Sequence, residues 1–343
     1  MSSIARKVVV GLGGVVAVVG IAFCGLLIGP PSCAKDSGPT IAPIPTPVVT
    51  NATTPRPPVT TPSPTTPAPS ATAPSAESAG AVVATTTAPA TADAAVAITK
   101  SRACGSAAPS PRGTSYKTLD GRTFHVWGPA TYEPATPYPV VLTFHGWKTN
   151  GRDFQKWFKM EDHVEGAAFV VYPDSKGPVW DLAGDSDLDF TAQVIDAVGN
   201  AYCIDKSRVF ALGFSYGAKL VHHLGCKRGD LVRAISGGDG SSRVESGCKR
   251  LPVLVTHRTR DPDERIEWGR DAAVRWAKAN GCSDATDPTD AAHGCVAYRS
   301  CAAGAGVTFC EDTHYDKTWP PDWNHTIREE YRDLTWTWFK SIR

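Results

Sequence analysis

The sequence has almost no excess of charge of either sign, because 35 basic and 34 acidic residues leave a formal net charge of +1. It also lacks a stripe of basic residues with interleaved aromatic side chains, a pattern typical of nucleic-acid surfaces. We therefore expect neither a nucleic acid nor an acidic substrate as a partner.

Aromatic residues are absent from residues 35–100, which consist mainly of Pro, Thr, Ala and Ser. Such a segment buries too little apolar surface to offset the entropy that ordering it would cost. We predict a disordered linker in which the prolines favour the extended polyproline II conformation. The chemistry is then confined to residues 101–343, which contain all ten tryptophans.

Charged residues are also absent from residues 8–29, an apolar run that directly follows Arg6 and Lys7. Its length is nearer to the roughly 20 residues of a membrane-spanning helix than to the roughly 7–15 of a secretory signal. A small-x-small cleavage site nevertheless ends at Ala34. We predict that residues 1–34 are a signal peptide or a signal anchor. The remainder should be exported, either secreted or tethered to a membrane or cell surface.

The C-x-x-C spacing typical of metal sites is missing from the eight cysteines of the domain. An even number of cysteines in an exported domain predicts four disulfides instead. Spacing alone leaves many pairings open, and the local candidates are Cys226 with Cys248 and Cys301 with Cys310. The eight are Cys104, Cys203, Cys226, Cys248, Cys282, Cys295, Cys301 and Cys310.

A G-x-S-x-G pattern occupies residues 213–217, in the middle of the domain. The apolar residues 209–212 before it predict a buried strand, and residues 218–224 after it follow a helical pattern that stops at Gly225. A serine at a tight strand-to-helix turn stands clear of the sheet, and the glycines permit close backbone approach. In this context we predict that Ser215 is a nucleophile and not a serine of a chance surface loop.

Strands and helices alternate along the domain, which predicts a mainly parallel sheet with helices on both faces. With the G-x-S-x-G turn at its centre, we expect an α/β-hydrolase fold. A D-G turn predicts an initial hairpin. The predicted strands cover residues 116–119, 122–127, 139–144, 168–172, 209–212, 231–236, 252–257 and 307–310. The predicted helices cover residues 189–202, 218–224, 264–280 and 326–340.

A serine nucleophile needs a base, and the base needs an acid that orients it. In this fold type the acid and then the base follow the serine along the chain. Asp261 is the first carboxylate after the predicted strand 252–257, and Asp263 is its nearest competitor. Two histidines follow the last strand. We favour His325, directly before the terminal helix, and keep His314 as the alternative base.

An oxyanion hole needs two converging backbone N–H groups. We assign one to Tyr216, which follows the nucleophile, and the other to Trp147, in the loop after the predicted strand that ends at residue 144. His145 is interpreted as a structural side chain. His222 and His223 lie on the helix behind the serine and are interpreted as packing or surface residues.

Residues 185–189 read Asp-Ser-Asp-Leu-Asp and resemble the start of a calcium-binding loop. The glycine that such a loop requires at its sixth position is replaced by Phe190. We therefore predict a polar loop that caps the following helix.

Five short segments recur together in a known family: residues 145–146, 171–174, 187–190, 203–209 and 213–217. In their order they resemble the polyhydroxybutyrate depolymerase and feruloyl esterase group, the secreted carboxylesterases of carbohydrate esterase family 1. The resemblance covers roughly residues 104–339 and is strongest over 172–240. It implies a Ser-Asp-His triad without a cofactor, with Ser215 as nucleophile and Asp261 as acid. Residues 257–263 depart from the family pattern, which usually has His-Gly before the acid.

We therefore expect a secreted serine carboxylesterase. The resemblance implies feruloyl or acetyl substituents of plant polysaccharides, or aliphatic polyesters such as polyhydroxybutyrate, as substrates. The alternatives are a peptidase or acyltransferase on the same scaffold, because a fold does not decide a reaction, and a non-catalytic surface-binding module. No cofactor or metal is expected.

Overall fold

The computed structural model describes residues 97–242, 244–320 and 324–342. The predicted signal or anchor, residues 1–34, and the linker up to residue 96 lie outside these ranges. Across the described ranges, we find no helix with both the length and the apolar character needed to cross a bilayer. Thr99 and Lys100, which precede the predicted domain boundary, contact Asp205: the Thr99 N–H donates to its Oδ1 at 3.0 Å, and Lys100 forms a β-bridge with it.

A ten-stranded sheet forms the centre of the described domain. Its strands are β1 (Arg112–Lys117), β2 (Thr123–Trp127), β3 (Tyr138–Phe144), β4 (Phe169–Pro173), β5 (Ile204–Phe214), β6 (Ala234–Gly238), β7 (Val253–Arg258), β8 (Thr286–Asp290), β9 (Cys295–Tyr298) and β10 (Val307–Asp312). They lie in the order β1-β2-β4-β3-β5-β6-β7-β10-β9-β8. The six from β4 to β10 in this order are parallel, and an antiparallel pair extends each edge.

Helices cover both faces of the sheet, because successive side chains of a strand point to opposite sides. The helices are α1 (Gly151–Phe158), α2 (Met160–His163), α3 (Ser186–Ala201), α4 (Tyr216–Arg228), α5 (Ile266–Ala279) and α6 (Glu329–Ser341). On β3, Val140 and Leu142 belong to the core shared with α3, α4 and α5. Val141, between them, belongs to the core shared with α1, α2 and α6. The predicted helical layers on both faces are therefore present.

The helix after the nucleophile does not end at Gly225, as its glycine led us to predict, but continues to Arg228. Gly225 lies where α4 packs on the sheet, and a Cβ there would be 2.8 Å from the Ile235 side chain. The glycine therefore permits close packing and is not a stop signal. The β8–β9 hairpin and the helices α1 and α2 are further elements that the sequence patterns missed.

The acidic segment before α3 differs from the predicted capping loop. Asp185 is the N-cap residue, but its side chain makes no capping hydrogen bond to any described residue. Asp187 lies inside the first turn of the helix, where its buried carboxylate pairs with Arg122 at 2.6 Å. This ion pair therefore connects the start of α3 to Arg122, which directly precedes β2.

The four predicted disulfides are present, and the pairing of Cys226 with Cys248 is confirmed. The predicted pair of Cys301 with Cys310 is wrong. Cys310 on β10 lies opposite Cys295 in the antiparallel register with β9, and these two are bonded. Cys301, just after β9, bonds instead to Cys282, which follows α5. The fourth disulfide joins Cys104 to Cys203.

Candidate active site

Ser215 stands in a sharp turn between the end of β5 and the start of α4. Its backbone has φ 55° and ψ −116°, a strained conformation for a residue with a side chain. The glycines on either side make the turn possible: a Cβ on Gly213 would lie 2.1 Å from the Gly217 carbonyl oxygen, and one on Gly217 would lie 2.1 Å from that of Phe144. The Ser215 N–H donates to the Gly238 carbonyl at 2.9 Å, which fixes the turn against β6.

His325 lies between Ser215 and Asp261 and is hydrogen-bonded to both. Its Nε2 is 2.8 Å from Ser215 Oγ, and its Nδ1 is 2.6 Å from Asp261 Oδ2. The Asp261 side chain is fully buried. Its other oxygen accepts the backbone N–H groups of Asp263 and Glu264, both at 2.8 Å. The structure therefore brings together the three residues that we predicted to be nucleophile, base and acid.

The groups around His325 make its imidazole a stronger proton acceptor. Burial by itself would lower the pKa of the imidazole, since it disfavours the charged form. The hydrogen bond to Asp261, together with the charges of Asp261, Asp239 and Asp263, outweighs burial, so that the pKa of His325 is raised above its usual value. A base of this kind takes a proton from a serine hydroxyl more readily than an isolated imidazole does.

The two competing candidates lie elsewhere. The His314 ring faces the Trp319 ring at 6.3 Å, and its backbone carbonyl accepts a hydrogen bond from the Arg258 guanidinium at 2.9 Å. Asp263 lines the cleft and supplies a backbone N–H to Asp261. Neither side chain is hydrogen-bonded between Ser215 and a second residue as His325 is, and the assignment of His325 and Asp261 stays a prediction.

The two residues proposed for the oxyanion hole lie beside Ser215. Tyr216 is the first residue of α4, where a backbone N–H has no acceptor within its own helix. Gly146, just before Trp147, lies so close that a Cβ there would be 3.3 Å from Ser215 Cβ. The loop after β3 therefore passes directly over the nucleophile, and the assignment of the two N–H groups stays a prediction.

A cleft of about 600 Å³ opens over Ser215. Two large aromatic side chains on its wall are exposed to solvent, Trp147 by 60% and Trp157 by 45%. Trp157, on α1, gave no signal in the sequence beyond its residue type, because nothing local shows that α1 reaches the nucleophile. The cleft is lined by Gly146, Trp147, Thr149, Trp157, Phe214, Ser215, Tyr216, Asp263, Glu264 and His325.

The other histidines near the site are packed into the protein, as predicted. His145 is buried, shares a hydrogen bond with the Gly146 carbonyl at 2.7 Å and stacks at 4.6 Å on Trp180; burial lowers its pKa. His222 accepts the Trp276 indole N–H at 2.9 Å, and burial lowers its pKa to about 3. His223 is half-buried on the same helix.

Three polar residues behind the triad escaped the sequence patterns: Asp239, His257 and Arg258. One oxygen of Asp239, one of Asp261 and one ring nitrogen of His257 lie within 4.8 Å of one another, the one such group found among the described residues that could hold a cation. Asp261 already binds His325 and two amides, Asp239 accepts the Arg258 N–H at 2.8 Å, and His257 Nε2 shares a hydrogen bond with the Glu264 carbonyl at 2.9 Å, whereas His257 Nδ1 has no partner among the described residues. The group fits a hydrogen-bonded network better than a metal site.

The fold and the site together define a class of enzyme. A parallel sheet with helices on both faces, and a serine at the strained turn between a strand and a helix, constitute the α/β-hydrolase fold, and that prediction is confirmed.

Comparison with known proteins narrows the class. No family model matches the chain. A probable feruloyl esterase C of Aspergillus terreus is 29% identical over 55% of this chain and 72% of its own length. Feruloyl esterase C of Emericella nidulans is 28% identical over 50% of this chain and 65% of its own. A bifunctional acetylxylan esterase/xylanase of Neocallimastix patriciarum is 27% identical over 40% of this chain and 21% of its own. The resemblance to feruloyl esterases is thus confirmed, and the chain is a carboxylic ester hydrolase.

Proposed function

We propose that the chain is a serine esterase that removes feruloyl or acetyl substituents from plant polysaccharides through a Ser215–His325–Asp261 triad. The observation that carries the proposal is the position of His325, hydrogen-bonded on one side to the strained serine and on the other to a buried carboxylate. This is the arrangement that acyl transfer by a serine hydroxyl requires.

In the first half-reaction, Ser215 Oγ attacks the carbonyl carbon of the ester while His325 Nε2 accepts the hydroxyl proton. Asp261 holds the imidazole with Nε2 facing the serine and stabilises the imidazolium that forms. The negative oxygen of the tetrahedral intermediate accepts hydrogen bonds from the N–H groups of Tyr216 and Trp147. His325 then gives its proton to the departing alcohol oxygen, and an acyl-enzyme remains.

In the second half-reaction, a water molecule attacks the acyl-enzyme, with His325 again taking the proton. Collapse of the second tetrahedral intermediate releases the carboxylic acid and returns the proton to Ser215. Each step uses side chains and backbone groups of the chain itself.

The shape of the cleft supports an aromatic acyl group as the better substrate. Trp147 and Trp157 present exposed indoles to a cleft of about 600 Å³. Flat rings of this kind pack favourably against a planar aromatic group. An acetyl group would fill only a small part of the space and would gain little from either indole. The relatives include one named as a feruloyl esterase and one named as an acetylxylan esterase, so the proposal includes both substituents.

The four disulfides support export of the domain. Disulfides persist in oxidising compartments and are rare where thiols are kept reduced. The described domain carries all eight of its cysteines in such bonds. A polysaccharide substrate would also be met outside the cell, so location and proposed substrate agree.

The test is a hydrolysis panel with the purified protein and its Ser215→Ala variant. The substrates are methyl ferulate, p-nitrophenyl acetate, acetylated xylan and polyhydroxybutyrate. We expect turnover of methyl ferulate with the highest kcat/KM, and loss of both hydrolysis and fluorophosphonate labelling in the variant. Undiminished labelling of the variant would contradict the mechanism. Turnover of polyhydroxybutyrate alone would contradict the proposed substrate class and leave the mechanism intact.

A further inference from the structure

Asp239 is a buried carboxyl group beside the triad that the mechanism above does not use. It directly follows β6, is only 2% exposed and has a positive φ of 48°, which is uncommon for a residue with a side chain. Its backbone N–H donates to the Thr256 carbonyl at 3.0 Å, and its Oδ1 accepts the Arg258 N–H at 2.8 Å. Both neighbours lie on β7, so Asp239 is fixed to the strand that leads to Asp261.

The residues on either side of Asp239 press against the nucleophile. The Gly238 carbonyl accepts the Ser215 N–H, and a Cβ on Gly240 would lie 2.5 Å from the Ser215 carbonyl oxygen. Since β6 and β7 are adjacent and parallel, Asp239 and Asp261 leave the sheet at the same edge. An oxygen of each lies within 4.8 Å of the other.

We propose that Asp239 is a positioning residue of the active site, a second carboxyl group beside Asp261 that can supply the negative charge acting on His325 when Asp261 is neutral. It would replace Asp261 in part when that residue is removed. This inference rests on the proposed function, because it concerns the same base.

Electrostatics explains why the two carboxyl groups do not carry a negative charge equally easily. Burial first, and then the charge of Asp261, raise the pKa of Asp239 well above its usual value. Two carboxyl groups so close in a dry site share a proton, because both cannot ionise cheaply. Asp239 is therefore harder to ionise while Asp261 is charged.

The groups that face Asp239 favour its ionisation once Asp261 is neutral. Arg258 and protonated His325 both lower the pKa of Asp239, whereas Asp261 raises it. His257 is neutral at ordinary pH, since burial lowers its pKa. With the charge of Asp261 gone, the repulsion disappears and Asp239 can ionise beside His325.

A double-mutant cycle tests this arrangement. The single variants Asp239→Asn and Asp261→Asn and the combined variant are compared by kcat and kcat/KM on p-nitrophenyl acetate. We expect Asp239→Asn to lower kcat less than about fivefold in the native background but at least about tenfold in the Asp261→Asn background. Asp196→Asn, which removes an exposed carboxylate on α3 that pairs with Lys206, is the matched control and should cost the same factor in both backgrounds. If Asp239→Asn lowers kcat by the same factor in the native and the Asp261→Asn backgrounds, the proposal is overturned.

A pH profile distinguishes shared charge from a merely structural role. In the Asp261→Asn variant, ionised Asp239 should keep the pKa of His325 raised. The acid limb of the kcat/KM profile should therefore lie at higher pH in this variant than in the combined variant. If the acid limbs of Asp261→Asn and of the combined variant coincide, the proposal is also overturned.

A further comparison guards against misfolding of the combined variant. Asp261→Asn alone should keep a kcat at least about tenfold above that of His325→Ala, and a loss as large as that of His325→Ala would count against Asp239. Full activity of Ser215→Ala, in contrast, would refute the proposed function itself.

Discussion

Replacement of His325 by Ala is the most direct test of the assignment of the base. The imidazole makes both of the side-chain hydrogen bonds that connect Ser215 to Asp261, at 2.8 Å and 2.6 Å. Without it, none of the described residues is hydrogen-bonded to the serine hydroxyl and placed to accept its proton. Hydrolysis would then depend on the oxyanion hole and on substrate binding alone.

The expected loss follows from that geometry. Removal of a triad base lowers kcat by about 10³ or more, which corresponds to at least about 4 kcal/mol of lost transition-state stabilisation. KM should change less than kcat, because the imidazole is one of several residues that line the cleft and the exposed indoles of Trp147 and Trp157 remain in place. The substitution also leaves the Asp261 carboxylate buried without one of its partners, so we expect a lower melting temperature as well.

The assay compares full kinetics of His325→Ala and His314→Ala on one soluble ester, with thermal unfolding of both. His314→Ala is the matched control, because its ring packs by Trp319 and not between the serine and the acid. We expect His314→Ala to keep kcat within about tenfold. If His325→Ala keeps kcat within tenfold while His314→Ala does not, the base is His314 and the reasoning fails.

Three further predictions concern pH, the serine turn and a disulfide. Because the base works in its neutral form and the pKa of His325 is raised, kcat/KM should fall as pH drops through a value above the usual 6.5. Gly217→Ala places a Cβ 2.1 Å from a carbonyl oxygen of β3 and should lower the free energy of unfolding by about 1–3 kcal/mol. Gly177→Ala, which meets no described atom within 4 Å, should cost under about 0.5 kcal/mol. Replacing Cys104 and Cys203 by Ser opens a crosslink between residues 99 apart in sequence and should cost about 4 kcal/mol in urea unfolding.

Each of these predictions has an outcome that would contradict it. An acid limb below pH 6.5 would show that Asp261 does not raise the pKa of the base. Equal unfolding free energies for the two glycine variants would mean that the turn has room for a side chain. A Cys104→Ser/Cys203→Ser protein as stable as the native one would show that this crosslink does not restrict the unfolded chain.

The local sequence contains most of the information about the nucleophile turn. An apolar run, two glycines around a serine and a helical pattern follow one another within residues 209–224, and the elements they predict are present as β5 and α4. Each depends on neighbours in the sequence: alternation sets the strand, helical periodicity sets the helix, and small residues permit the turn. The class of fold and the position of Ser215 could therefore be predicted without a structure.

Contacts between distant residues decided the rest. His325 meets a serine 110 positions away in the chain, a contact that its local position before the terminal helix favours but cannot establish. The mistaken pairing of Cys301 arose because the β8–β9 hairpin, which has mostly exposed polar residues in β8, gives no clear apolar alternation.

Gly225 shows that contacts between distant residues also limit what the sequence predicts within a single helix. A glycine usually ends a helix, but here it lies against Ile235 on β6, a contact that only the packed sheet creates. Asp239 is an ordinary acidic residue in the sequence, and it becomes a partner of Asp261 because β6 and β7 are neighbours. The sequence by itself indicated most of the elements and the turn that carries Ser215, through short-range sterics and periodicity. Only the tertiary structure places His325 between Ser215 and Asp261, pairs Cys301 with Cys282 and brings Asp239 close to Asp261, because these contacts depend on how distant segments pack together.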